Sequence, residues 1–210
     1  MLITIDELKP ILESKQIDIT GILHIGAHNC EEMHIYDVLG VSMENIVWVD
    51  AIPNKVLEAH MRGIPNVYHA VITDKDNDVV VFHISNNGQS SSILDMGAHL
   101  QEHPGIDYIS DLIQSTSTID TFFEKNQLDA SKYIFWNFDI QGAELLALKG
   151  AIKSIVHAKI LYLEVNEKEL YKNCGMIDEI DTFLAQYHFK RVLTKMTQHG
   201  WGDAVYVLDQ

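Results

Sequence analysis

The sequence predicts an α/β domain built on a mostly parallel sheet with helices on both faces. Two patterns carry the prediction. Short apolar runs such as Gly21-Ile22-Leu23-His24-Ile25 and Ile46-Val47-Trp48-Val49 read as strands buried on both faces. These runs alternate with segments of helical character, the order that places helices on each side of a parallel sheet. A third feature qualifies the topology: the last two strands are joined by a short turn around Gly200-Trp201-Gly202, so one of them runs antiparallel to its neighbours.

The elements follow in order. Thr4-Ile5-Asp6-Glu7 has the form of a capping box, opening a helix with Ile5, Leu8 and Leu12 on one face. Pro10 is expected to kink that helix or delay its start. After the first strand, 31–39 reads as a helix stopped at Gly40. The second strand ends on Asp50, and Pro53 stands at a natural first helical position for a helix to about Arg62. Residues 67–72 and 79–84 read as two strands joined in a hairpin across the polar turn 74–78. The serine-rich stretch 85–92 is a loop by composition, and 93–116 reads as mostly irregular. A short helix over 119–125 precedes a β-prone run at 133–139. Next come a helix over 143–154 with Leu145, Leu148 and Ile152 on one face, a strand over 159–165 and a helix over 178–187. Strands at 189–195 and 204–208 close the chain.

Composition narrows the function. A chain of 210 residues with no composition break predicts one domain over 1–210, residues 1–18 forming a helical extension. The charge of −15 disfavours a phosphate backbone as partner. Cys30 and Cys174 lie far apart without a CxxC spacing, which favours a reducing compartment. The acidic amino-terminal segment lacks the form of a secretory signal, and no apolar run approaches the ~20 residues that span a bilayer. The expectation is a cytoplasmic protein without membrane or nucleic-acid partners.

In such sheets ligands bind beyond the carboxyl ends of the strands. That edge collects Asp50, Asp139 and Glu164. The turn Gly26-Ala27-His28-Asn29 after the first strand brings backbone close to a ligand and leads into a helix with free N–H groups. Asp50, one β-α unit later, is placed to accept hydrogen bonds from both ribose hydroxyls of a nucleotide-type cofactor. A dinucleotide fits poorly, since GxGxxG would need glycines where His28 and Glu31 stand. A pyrophosphate would also sit badly beside Glu31 and Glu32. S-adenosylmethionine, with a sulfonium and an ammonium and no phosphate, suits an acidic rim better. His99 and His103, four apart, lack a third ligand nearby, so no metal site is expected. Trp201 reads as a core or rim anchor. Ser90-Ser91-Ser92 reads equally as a lid over an acceptor or as an ordinary polar loop.

Several segments, in order, resemble the FkbM-type branch of class I methyltransferases: HIGAHNCEE, WVDAIPNKV, VYHAVITDKDNDVVVFHI with QSSSIL, STIDTFF, and FDIQGAELLALKGA followed by LYLEV. They cover about 20–208, and FDIQGAELLALKGA is the most specific. The resemblance implies a Rossmann-like, mostly parallel seven-stranded sheet with an antiparallel last strand, S-adenosylmethionine as donor, and a hydroxyl of a small molecule or glycan as acceptor. By position it implies that His24, Gly26, Ala27, His28 and Asn29 line the methionine part. Asp50 takes the ribose beside Ala51 and Ile52, His69 and Ala70 flank the adenine, and Asp139 faces the methyl-transfer region. A neutral hydroxyl needs a base, for which Asp139 and Glu164 are the catalytic candidates. Two positions depart from the family pattern: His24 stands where aspartate is common, and Cys30 where glycine is common. They motivate the alternative of a non-catalytic, partner-binding domain on the same fold. A nicotinamide-dependent oxidoreductase is disfavoured by the missing glycines.

Overall fold

The computed structural model describes residues 1–209. Helix α1 (Ile5–Ser14) opens on the expected capping box: Thr4 and Glu7 satisfy each other's backbone N–H groups. Pro10 lies inside this helix without ending it. Strands β1 (Ile22–Ile25), β2 (Ile46–Asp50) and β3 (Val67–His69) are linked by α2 (Met33–Val38) and α3 (Pro53–Met61). The chain then leaves this sheet for a small one made of β4 (Val71–Ile72), β5 (Val79–Ser85) and β6 (Tyr108–Ser117), with α4 (His99–Glu102) between the last two. It returns through α5 (Ile119–Lys125) to β7 (Phe135–Phe138), α6 (Glu144–Lys149), β8 (Ile160–Asn166), α7 (Ile177–Ala185), β9 (Phe189–Met196) and β10 (Trp201–Leu208).

The large sheet has seven strands in the order β3-β2-β1-β7-β8-β10-β9. β10 runs antiparallel between β8 and β9, and the β1, β2, β3, β7 and β8 pairings are parallel. Alternation along each strand sends side chains to two cores. Leu23, Val49, Phe138 and Leu163 pack under α5, α6 and α7. Ile22, Trp48, Phe135 and Tyr162 pack under α1, α2 and α3. Trp48, Trp136, Phe135 and Phe138 are fully buried, each contributing on the order of 1.5–3 kcal/mol through burial. The sheet is thus apolar on both faces, as parallel sheets require.

Four expectations need correction. The 67–72 run is two strands in two sheets: it breaks at Ala70, whose N–H turns to the Asp50 carbonyl at 3.1 Å. The expected hairpin does not form. β5 instead pairs antiparallel with β6, and β4 pairs with β6 in parallel. The region expected to be irregular contains the ten-residue strand β6. Most of its positions are solvent-exposed or half-buried, and Ile109 and Ile113 are exposed, so its apolar residues mark no core face. Finally, α6 stops at Lys149, and Ile152 lies exposed beyond it rather than on the buried face.

The chain moves outward from β1 to β3, then resumes at β7 and moves outward the other way. The strand order therefore reverses between β1 and β7. The crevice at such a reversal is where open α/β sheets bind ligands. Gly26 follows β1 there, and Asp139 follows β7.

Candidate active site

The turn after β1 is set by one close approach. Gly26 has φ +94°, and a Cβ on it would lie 1.9 Å from the Asp139 carbonyl oxygen. Only glycine lets the ends of β1 and β7 meet this closely. Gly26 and Ala27 donate to the Val49 carbonyl at 2.9 and 3.0 Å, closing the turn onto β2. His28 then adopts φ +41°, which aims its N–H at Asp50 Oδ2, 2.6 Å away. Ile52 N–H donates to Asp50 Oδ1 at 2.7 Å. The Asp50 carboxylate is thereby fixed at the tip of β2. Burial pushes its pKa up, against the two backbone N–H groups that favour the charged form. Each carboxylate oxygen keeps a further lone pair for a ligand.

Two clefts meet at this turn. The smaller has Asp50, Ala51, Ile52 and Ala70 along one side. Val71, Ile72, Phe82 and Ile140 make its apolar walls. The larger, of about 1400 Å³, opens toward Glu164, Tyr171, Trp201 and Asp203. Gly26, His28, Gln89 and Asp139 line both.

Asp139 is exposed where the clefts join, and its Oδ1 accepts from Gln141 Nε2 at 2.7 Å. The same amide nitrogen donates to Glu164 Oε2 at 2.5 Å. Glu164 is buried at the carboxyl-terminal part of β8. Burial first, and the neighbouring Asp139 carboxylate next, push its pKa well above the carboxylate range. Gln141 is itself held from the other end, since Tyr171 O–H donates to its Oε1 at 2.6 Å. Glu144, fully buried at the start of α6, accepts from the Ile140 and Gly142 N–H groups at 2.8 and 3.3 Å. It thus pins the loop carrying Asp139 and Gln141. Burial pushes its pKa up to about 8.

The serine-rich stretch is a buried strap, with Ser90, Ser91 and Ser92 all nearly closed off from solvent. Ser91 Oγ accepts from Ser85 N–H at 3.0 Å, and Ser92 Oγ donates to the Gln141 carbonyl at 2.9 Å. His28 reaches this strap: a Cβ on Gly88 would lie 3.2 Å from its Nε2.

Of the residues singled out from the sequence, the structure gathers Gly26, His28, Asp50, Ala51, Ile52, Ala70, Asp139 and Glu164 on the two clefts. Four lie elsewhere. His24 points to the opposite face of the sheet, where its Nδ1 meets Tyr36 O–H at 2.8 Å and its ring packs on Trp48. Ala27 is in the core beside α2. Asn29 hydrogen-bonds to Glu31 and Lys55, and His69 Nε2 to the Ala51 carbonyl at 3.2 Å. Cys30 is buried with φ +55°, a backbone region that favours glycine, and burial raises its thiol to about 12. Trp201 does stand on a rim, that of the larger cleft. Sequence reading missed Gln141, Tyr171 and Asp203, and weighed His99 only as a metal ligand. Gln141 carried a usable signal, lying two residues after Asp139 in the most specific motif, whereas Tyr171 lies in a segment without a pattern and His99 in the short helix α4. No group of three or more His, Cys, Asp or Glu side chains among the described residues could hold a metal ion. No helix among them is long and apolar enough to cross a membrane.

A parallel sheet with an inserted antiparallel strand, a glycine turn and an acidic β2 tip defines a class I methyltransferase fold. The Methyltransferase FkbM domain matches residues 24–191, and the chain belongs to that family. Its methyl donor is S-adenosylmethionine. Among solved structures, the chain is similar to a Streptococcus pneumoniae protein described as "a putative tRNA (m1A22) methyltransferase". Identity is 10%, covering 99% of this chain and 72% of that one, with a TM-score of 0.51. Magnesium protoporphyrin IX methyltransferase from Synechocystis with bound S-adenosylmethionine aligns at 13% identity, over 97% and 77% of the two chains, with a TM-score of 0.46. An Aquifex aeolicus S-adenosylmethionine-dependent methyltransferase aligns at 12% identity, over 95% and 89%, with a TM-score of 0.43. No curated protein matches the sequence.

The smaller cleft fits the donor chemically. It offers one buried carboxylate for ribose hydroxyls and an apolar slot for an adenine. None of its lining residues is a lysine or arginine that would call for phosphate.

Proposed function

We propose that this protein transfers a methyl group from S-adenosylmethionine to a hydroxyl oxygen of a small molecule or glycan, with Asp139 accepting the proton. The observation that supports this reading is the position of Asp139, the carboxylate that lines both clefts. The donor, when bound, supplies a methyl on a sulfonium, open to in-line attack. The chain's part is to hold the two reactants in line and to take the hydroxyl proton. Asp50 is assigned to the ribose, Ala51, Ile52 and Ala70 to the walls around the adenosine, and Gly26 and His28 to the methionine end. Burial beside another carboxylate favours the protonated form of Glu164. Glu164 therefore serves to orient Asp139 through Gln141, and Asp139 is the group free to act as base.

The alternative of a non-catalytic domain loses its motive. The His24 side chain lines neither cleft, and the Cys30 thiol is buried in the core against α2. The family itself does not exclude a nucleic-acid acceptor, but the charge of −15 opposes one. The test is transfer of an isotope-labelled methyl group from S-adenosylmethionine to a panel of hydroxylated small molecules and glycans. Asp139→Asn should lower kcat by roughly 10²- to 10⁴-fold while S-adenosylhomocysteine binding is retained. An unchanged kcat in that variant, or label found only on nitrogen or sulfur, would overturn the reading.

A further inference from the structure

The larger cleft carries a polar side chain that the methyl-transfer site does not use. His99, at the start of α4, lines this cleft and is only 4% exposed. Its Nδ1 is buried with no hydrogen-bond partner. The ring is wedged between Tyr171, 5.2 Å away by centroids, and His103, 4.9 Å away. His103 in turn packs on His199, whose Nδ1 meets Glu102 at 3.0 Å. The orientation of the His99 ring is therefore fixed by packing, not by hydrogen bonds. A buried polar atom left unpaired is costly, and native proteins seldom tolerate one without a use.

Burial first and His103 second hold the His99 ring below the ordinary imidazole range, so it is neutral. A neutral imidazole has one donor nitrogen and one acceptor nitrogen. Whichever role the ring presents to the cleft, an alcohol can match it, since a hydroxyl both donates and accepts. The rest of the lining sets the charge of the ligand. Glu31, Glu32, Asp139 and Asp203 face this cleft, none of its lining residues is a lysine or arginine, and the Met1 ammonium on its rim is paired with Glu32 at 4.0 Å. Asp203 is already engaged by the Leu2 N–H and the Tyr162 O–H, and Glu31 by His28. Against such a wall an anionic group would be repelled.

We propose that His99 is an acceptor-binding residue, which takes a second hydroxyl of an uncharged polyhydroxylated acceptor whose reacting hydroxyl lies at Asp139. Tyr171 spaces the two anchors: its ring packs on His99, and its hydroxyl holds the Gln141 that orients Asp139. The acceptor must accordingly span the Tyr171 ring. The proposal rests on the O-methyl transfer reading, and two separate measurements keep their fates apart.

The first uses protein with isotope-labelled histidine, loaded with S-adenosylhomocysteine and observed by nuclear magnetic resonance. The probes are methyl glucoside, methyl galactoside and myo-inositol at millimolar concentration, with glucose 6-phosphate as the matched anion. His99→Phe identifies the His99 ring signals. At least one neutral polyol should shift them, and the phosphate should not. His99→Phe should weaken that polyol's binding at least about tenfold, the loss expected for a hydrogen bond of ~1.4 kcal/mol, and His99→Gln should recover part of it. A His99 ring that ignores every neutral polyol, or responds equally to the phosphate, overturns the proposal. The second measurement is transfer of labelled methyl to the same polyols. Labelled oxygen supports both readings when His99→Phe raises KM with kcat retained, and an unchanged KM there sinks the His99 role. Absence of product while the His99 ring responds removes the O-methyl reading and leaves His99 as a polyol-binding residue.

Discussion

Replacing Gly26 by alanine tests whether close approach of two strand ends builds the site. Two costs follow from the geometry. The first is conformational: Gly26 has φ +94°, where a side chain costs on the order of 1–2 kcal/mol. The second is steric. The new Cβ would fall 1.9 Å from the Asp139 carbonyl oxygen and 2.7 Å from its carbonyl carbon, both backbone atoms. Backbone must move to relieve this, at roughly 1–3 kcal/mol more. A total near 3 kcal/mol lowers Tm by about 6–12 °C in a chain of this size. Gly40 supplies the control. It has φ +80° and nothing within 4 Å of its Cβ position, so Gly40→Ala carries the first cost alone. That corresponds to a fall in Tm of about 2–8 °C. Thermal unfolding followed by circular dichroism gives both numbers, and calorimetry with S-adenosylhomocysteine gives the second readout. Gly40→Ala should bind normally, while Gly26→Ala should lose at least about tenfold in affinity, because the displaced backbone carries the Asp139 loop. Equal Tm losses in the two variants, with binding intact in both, would refute the reasoning.

Three further outcomes are expected. Asp50→Ala should weaken S-adenosylhomocysteine binding by roughly ten- to a hundredfold, through lost ribose hydrogen bonds, and unchanged affinity measured by calorimetry would move the ribose elsewhere. Glu144 has its folded-state pKa raised from 4.5 to about 8, so the folded protein keeps a proton that the unfolded chain releases. Its contribution to stability is therefore present below pH 4.5 and is lost as pH rises toward 8, by a few kcal/mol. Urea titrations across that window should show a shallower decline for Glu144→Gln, and parallel curves would contradict it. His24→Phe removes one of the two hydrogen-bond partners of the buried Tyr36 hydroxyl and should cost on the order of 1–3 kcal/mol in unfolding free energy. Cofactor affinity should stay unchanged in that variant, and a fall measured by calorimetry would return the His24 ring to the cofactor site.

The large sheet was legible because its central strands β1, β2, β7 and β8 are buried on both faces. Runs such as Ile46-Val47-Trp48-Val49 have no polar alternative that would confuse the reading. The small sheet was not legible, for the converse reason. β6 exposes Ile109 and Ile113 and half-buries Tyr108 and Leu112, so its apolar residues mark no single face. The break at Ala70 was equally hidden, since only tertiary pairing moves Val71 from β3's sheet to β6's side. Site residues followed the same division. Asp50 and Asp139 end strands whose ends are determined by the fold, and both face the clefts. His24 was misjudged by parity: it precedes the turn inside β1, so its side chain alternates to the far core with Ile22. His99 and Tyr171 come from segments with no periodicity, and only their packing brings them to Asp139's cleft.

The wall shared by the two clefts separates what can vary from what cannot. Gly26, His28, Gln89 and Asp139 belong to both; Gly26 is held by its close approach to the Asp139 carbonyl and His28 by its N–H to Asp50. The far ends are built from different parts of the chain. In the proposed assignment the donor's outer end would rest on Ala70, Val71 and Phe82, and the acceptor's outer end on α4 and the tip of β10. Changes in α4 or around Trp201 can therefore remodel what is methylated while the meeting point of the reactants stays as it is. On the proposed assignment the fold would be an interchangeable socket joined to a fixed contact, with new acceptors reached by altering its outer rim.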